Sequence, residues 1–288
     1  MIHTQLTRRE ALAAGAALAL TPAFRALAAD DKRLFKISAC DWSLGKAQQP
    51  AALDVAKEVG IDGVQVSIGE PGPRYDLRKP EVRQEYVEKC RQTGVQISSL
   101  AMGVLNSRAY ASDAATEQWV ADCVDVMAQM KQRVILLAFF GNGDIKGKPD
   151  LQKEVIRRLK KIAPQAEKAG VVLGLESWLN ADDHLRILDG VGSPAVQVYY
   201  DVCNMTDMGY DICKEIRQLG RDRICEVHCK ENGFLLGHGK VDLLKVKAAI
   251  DEIGWTGWLV IEGATIGGKS LTECYTLNQK YLRSVFPT

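Results

Sequence analysis

The sequence has few histidines, no excess of charge, no Cys-x-x-Cys pair and no apolar run long enough to cross a bilayer. Each absence removes a class of protein. Lys and Arg number 37 against 36 Asp and Glu, a formal net charge of +1. Removing the first 29 residues leaves about −1, which speaks against binding of nucleic acid by bulk electrostatics. The longest apolar run, Ala11 to Leu20, is too short to span a membrane, and later runs such as Val134 to Phe140 have the length of buried strands. The eight cysteines (Cys40, Cys90, Cys123, Cys203, Cys213, Cys225, Cys229 and Cys274) are scattered through apolar patterns. They read as small buried hydrophobes, not as a disulfide framework.

What is present first is a leader. Thr7-Arg8-Arg9-Glu10-Ala11-Leu12 precedes an Ala/Leu-rich stretch and then Ala26-Leu27-Ala28-Ala29. The order resembles a twin-arginine export signal with a small-residue cleavage site. It predicts recognition by the Tat export machinery, a mature chain of residues 30–288 folded as one domain, and a periplasmic or otherwise exported location. Hydrophobic residues at 47% and charged residues at 25% give that chain ample core and no case for disorder.

After the leader, short apolar runs alternate with longer amphipathic stretches, eight of each. The expected strands are Leu34–Ala39, Gly63–Ser67, Val95–Ala101, Arg133–Phe139, Val171–Glu176, Val196–Asp201, Ile224–His228 and Trp258–Glu262. All are dense enough in apolar residues to be covered on both faces. The expected helices are Pro50–Val59, Pro80–Thr93, Ser112–Lys131, Pro149–Ala169, Asp182–Leu188, Asp207–Leu219, Asp242–Ile253 and Lys269–Ser284. Several stop at a glycine that leads directly into the next strand. The pattern predicts an α/β fold, a (β/α)8 TIM barrel. An open doubly wound sheet is disfavoured, because no Gly-x-Gly-x-x-Gly follows the first strand.

In such a barrel the active site lies at the C-terminal ends of the strands. Strands five to eight end in Glu176, Asp201, His228 and Glu262. Three carboxylates and an imidazole gathered in a low-dielectric cup repel one another unless a cation sits among them. The set therefore predicts a divalent metal site, with an oxygen-rich preference for Mn2+, Mg2+ or Co2+ and room for Zn2+.

These motifs resemble the xylose isomerase-like TIM barrels, especially the sugar isomerase/epimerase branch that includes ketose 3-epimerases and inosose dehydratases. The resemblance rests on Glu176, Asp201-x-x-Asn204, His228-x-Lys230-Glu231, Glu262 and the Gly237-His238-Gly239-Lys240-Val241-Asp242 turn. It implies a metal held by Glu176, Asp201, His228 and Glu262, which chelates the carbonyl and a neighbouring hydroxyl of a sugar. Glu176 and Glu262 would then be the acid/base pair around an enediolate. Family members are often dimers or tetramers, and no segment here marks an interface.

Departures from the 3-epimerase pattern, Asn204 for His and Phe234 for Arg, speak against a simple free ketohexose. The expected substrate contacts are Trp42, Trp178, Asp182, Asn204, Lys230 and Glu231. Glu226, two residues before His228, is expected on the same strand face as a supporting partner, and His184 is expected to be exposed. Three rival functions remain: a lyase or dehydratase on a keto-sugar or keto-glycoside that starts from the same enediolate, an exported barrel that only binds sugar, and an apurinic endonuclease. The last is disfavoured, because a three-zinc site needs more histidines than His3, His184, His228 and His238 supply.

Overall fold

Strands dense in apolar residues need cover on both faces, and closing the sheet on itself inside a ring of helices provides it. The structure is a computed structural model that describes residues 34–287. The leader and its cleavage site lie outside the described residues. Eight parallel strands, β1 (Phe35–Cys40), β2 (Gly63–Ser67), β3 (Gln96–Met102), β4 (Val134–Phe139), β5 (Val172–Ser177), β6 (Val196–Asp201), β7 (Ile224–Glu231) and β8 (Gly257–Gly263), form a closed barrel in sequence order. Closure is made by β8 on β1, from Phe35 opposite Gly257 to Ala39 opposite Ile261. The (β/α)8 barrel expected from the sequence is the fold observed.

The helices are α1 (Ala52–Val59), α2 (Pro80–Thr93), α3 (Ala115–Met130), α4 (Pro149–Ala169), α5 (Ala181–Val191), α6 (Val202–Asp207), α7 (Ile212–Leu219), α8 (Leu243–Ile253) and α9 (Leu271–Val285). The main core lies between them and the outer faces of the strands. At Gly170 the backbone turns left-handed, closes α4 and hands the chain to β5.

The helix expected over Asp207–Leu219 begins only at Ile212, as α7, and α6 is a further short helix that precedes it. Asp201 caps α6 through the N–H groups of Cys203 and Asn204, and Asp211 caps α7 through that of Lys214. All eight cysteines are free, and six of them are buried. Among the described residues no helix is long and apolar enough to cross a membrane.

Inside the barrel, alternate residues face the axis. A small apolar layer of Cys40, Ala101, Val134, Leu136, Ala138, Val172, Tyr199 and Val260 fills it. Gly174 makes room for this layer, since a Cβ there would lie 2.5 Å from Cys225 Sγ and 3.2 Å from Tyr199 Cβ.

Candidate metal centre

Glu176, Asp201, His228 and Glu262 come from four neighbouring strands, and one ligand-type atom of each lies within 4.8 Å of the others. His228 Nδ1 is 2.8 Å from Glu176 Oε1, 3.8 Å from Glu262 Oε2 and 4.0 Å from Asp201 Oδ2. His228 and Asp201 are buried, Glu176 is nearly so, and Glu262 is open to the mouth.

The charges in this cup are under strain. Burial, with Glu176 and Glu262 beside it, pushes the Asp201 carboxyl up to about 7. Burial works against a charge on His228, yet the facing carboxylates, Glu176 foremost, outweigh it and raise the imidazole to about 9. Glu262 goes the other way. Burial alone would raise it, but the charges of His228 and Lys230, with hydrogen bonds from Lys230 Nζ (2.9 Å) and Trp42 Nε1 (3.1 Å), hold it below the ordinary range. Lys230 is in turn held protonated against burial by Glu262 and Asp201.

Asp201 supplies the test of whether these residues fit a cation. Its Oδ1 accepts two backbone N–H groups at 2.8 Å, while its buried Oδ2 has no hydrogen-bond partner. A buried carboxylate oxygen left without a donor is costly. Here it points into a set of three oxygen-bearing ligands and one nitrogen, a donor set suited to a divalent ion of the Mg2+, Mn2+ or Co2+ type. The residues present fit such a group.

Behind the cup lies a chain of hydrogen bonds that sequence reasoning missed almost entirely. Gln65 Oε1 lies 3.0 Å from His228 Nε2, and Gln65 Nε2 donates to Ser99 Oγ (3.0 Å) and Tyr199 Oη (2.8 Å). Both hydroxyls donate to Glu226 Oε2, at 2.8 and 2.9 Å. With Nε2–H given to Gln65, Nδ1 is the ring nitrogen turned to the carboxylates, protonated towards Glu176 in the metal-free chain and open as a ligand atom once that proton leaves. The available signal was Gln65 itself, a polar residue in the middle of Gly-Val-Gln-Val-Ser, a strand covered on both faces.

The cup opens into a cavity of about 720 Å³ whose walls include Trp42, Trp178, Asn204 and Lys230 beside Glu176 and Glu262. Two expected substrate contacts are not there. Asp182 is exposed on the first turn of α5 and accepts a hydrogen bond from Gln218 Nε2. Glu231 follows Lys230 along β7 and so points to the opposite face, where it accepts from the N–H groups of Lys240 (3.2 Å) and Val241 (2.8 Å). His184, expected exposed, is buried, with its ring 2.9 Å from Ser177 Oγ and its pKa lowered by burial to about 4.

A barrel of this order with such a cup defines a class, and the comparison with known families agrees. The family model of the xylose isomerase-like TIM barrel matches residues 53–280. The chain belongs to that family. It is 25% identical over 193 residues to the 2-epi-5-epi-valiolone 7-phosphate 2-epimerase of Actinoplanes sp., covering 66% of this chain and 71% of that protein. It is 28% identical over 128 residues to the D-psicose 3-epimerase of Enterocloster bolteae, covering 40% of this chain and 42% of that protein. Among solved structures, a D-psicose 3-epimerase with D-fructose present superposes with a TM-score of 0.71 at 16% identity, over 88% of this chain and 100% of that one. The 3-keto-D-glucoside 4-epimerase of E. coli gives 0.71 at 17% identity, over 87% and 99%. At these identities the structural matches establish the fold.

Proposed function

We propose that the protein is a divalent-metal-dependent sugar epimerase or isomerase that moves a proton on the carbon next to a carbonyl, with Mn2+ the preferred ion. The observation that carries this reading is the placement of two carboxylates, Glu176 and Glu262, on either side of a cup that also holds the orphaned Asp201 Oδ2. The sequence relatives are named as epimerases of a cyclitol phosphate and of a ketose, which supports the same class. A divalent ion bound there supplies the Lewis acidity that polarises a sugar carbonyl and acidifies the neighbouring C–H.

The chain's own groups do the rest. Glu262 is kept ionised by Lys230 and Trp42, so it is the base that takes the proton from one face. Glu176 returns a proton from the other side of the cup. Transfer between two carboxylates inverts the centre and gives epimerisation; return by the same carboxylate to the adjacent carbon gives aldose–ketose isomerisation. Lys230 faces the cavity and hydrogen-bonds a substrate oxygen, while Trp42 and Trp178 wall the cup against water. The same reading assigns the mature chain, residues 30–288, to the exported side of the inner membrane, which N-terminal sequencing of the protein from a periplasmic fraction tests.

The central experiment is incubation of Mn2+-loaded protein with a panel of ketoses and keto-sugars in D2O, with deuterium entry next to the carbonyl followed by NMR. Incorporation that vanishes in Glu262→Gln is expected. Absence of exchange across the panel and across ketoses that carry a second sugar unit, with metal bound, rejects the reading in favour of a barrel that binds sugar without turning it over. Exchange accompanied by loss of a substituent identifies the lyase instead.

A further inference from the structure

The mouth of the barrel is chemically lopsided. Strand order places β2, β3 and β4 across the opening from β6, β7 and β8. Glu176, Lys230 and Glu262 come from the β5–β8 side, whereas the apolar side chains Ile68, Val104, Leu136 and Phe140 come from the opposite wall, interspersed with Ser67, Glu70 and Asn106 and with Trp178 beside them. The rings of Phe140 and Trp178 meet edge to face, with centroids 5.2 Å apart, and both are partly exposed to the cavity. Aromatic corners of this kind pack the C–H face of a sugar ring or another flat apolar group. At about 720 Å³ the cavity is in the range that holds drug-sized ligands, and one sugar ring over the carboxylates leaves this wall uncovered.

The cavity also lacks an anion cradle. Among the described residues that line it, Lys230 is the one cation, and its ammonium is engaged by Glu262 at 2.9 Å and Asp201 at 4.0 Å. Three site carboxylates offset a divalent ion and that lysine, so the loaded cup holds no net positive charge. Barrel enzymes commonly seat phosphate on the loops after strands seven and eight and on the helix N-termini that follow.

Here those positions are filled by the chain's own carboxylates. Glu231 takes the Lys240 and Val241 N–H groups, Asp242 takes that of Lys245 at the start of α8, and Glu273 takes that of Ser270 at the start of α9. The first of these is tightly built, since a Cβ on Gly239 would lie 2.1 Å from Glu231 Oε2.

Resting on the proton-transfer reading above, we infer that the substrate is an uncharged ketose or keto-sugar that keeps its carbonyl free and carries a second, glycosidically linked unit. The reacting ring sits over the carboxylates, and a second unit lies against the β2–β4 wall, with its apolar face on the Phe140–Trp178 corner.

Calorimetry on the Mn2+-loaded chain tests this with D-fructose, D-fructose 6-phosphate and three ketose disaccharides carrying the second ring at O3, O4 or O6: turanose, lactulose and isomaltulose. At least one disaccharide is expected to bind tenfold or more tightly than D-fructose, and the phosphate more weakly than D-fructose. Equal affinity for D-fructose and all three disaccharides, or tightest binding by the phosphate, overturns the inference. Phe140→Ala is expected to shrink the disaccharide advantage to less than threefold; an undiminished advantage overturns the assignment of the second unit to this wall. Deuterium exchange on the same panel keeps the two readings apart. Tight disaccharide binding without exchange rejects proton transfer and keeps the substrate class, while exchange on D-fructose with no disaccharide preference does the reverse.

Discussion

Two buried aspartates sit at strand ends on opposite sides of the barrel mouth, Asp41 just after β1 and Asp201 closing β6. Both are pushed up by burial, to about 6 and about 7. Asp41 has every oxygen occupied: Oδ2 accepts the N–H groups of Gln48 and Ser67, and Oδ1 the Ser67 hydroxyl. Asp201 has one oxygen fully used as a helix cap and the other left over. The first ties the loop after β1 to the end of β2, and the second keeps a buried oxygen turned towards His228 and Lys230 without a hydrogen bond. Residue type and burial do not separate them, whereas unsatisfied valence does.

The largest way to sharpen that contrast is to remove the base. Glu262→Gln is expected to reduce turnover by about 10²- to 10⁴-fold, the usual weight of a positioned general base, while thermal unfolding of the metal-free chain changes little. Next comes the aspartate pair itself. Asp201→Asn should weaken Mn2+ affinity by more than the ~10–100-fold that loss of a supporting hydrogen bond costs. Asp41→Asn should leave that affinity intact and cost about 1–3 kcal/mol of stability, because the amide carbonyl keeps the two backbone N–H groups but the charge-assisted bond from the Ser67 hydroxyl is lost. Calorimetric titration and urea unfolding of both variants give the answer, and the same phenotype in the two would erase the distinction.

A smaller effect is expected behind the cup. Gln65→Leu removes the acceptor for His228 Nε2–H and should weaken Mn2+ binding by roughly 10–100-fold, measured by competition with a chelator. Unchanged affinity would show that the buried chain through Ser99, Tyr199 and Glu226 does not orient the ligand.

The smallest effect concerns His184. Its folded pKa, near 4, lies below that of an ordinary histidine, so the unfolded chain binds the extra proton first. Its contribution is whole above about pH 6.5 and is lost as pH falls towards 4, about 2 kcal/mol of it between pH 7 and 5. Urea unfolding at both pH values should show the wild type losing that much more stability than His184→Asn.

Much of this molecule was legible in its sequence because a barrel strand covered on both faces is a short run dense in apolar residues, and there are eight. The expected and observed strands differ by three residues at most, at the end of β7. The quartet was legible for the same reason, since each member lies in the C-terminal half of its own strand, Asp201 at the very end and His228 three residues before it.

The errors have physical causes. Lys230 and Glu231 were read as a pair, although adjacent strand residues face opposite sides. His184 was placed outside, although Ala181, His184, Ile187, Leu188 and Val191 form the buried stripe of α5. The helix α6 is hidden because it has only six residues and follows β6 without a break, with Asp201 both ending the strand and capping the helix. The Gln65 chain was invisible because its bonds join residues far apart in sequence.

The measurement that bears most directly on the central claim is anomalous diffraction at the manganese edge from a crystal grown with Mn2+. The account expects one strong peak per chain, bonded to Glu176, Asp201, His228 Nδ1 and Glu262. A peak elsewhere with none among these four residues, or none at saturating Mn2+, would contradict it.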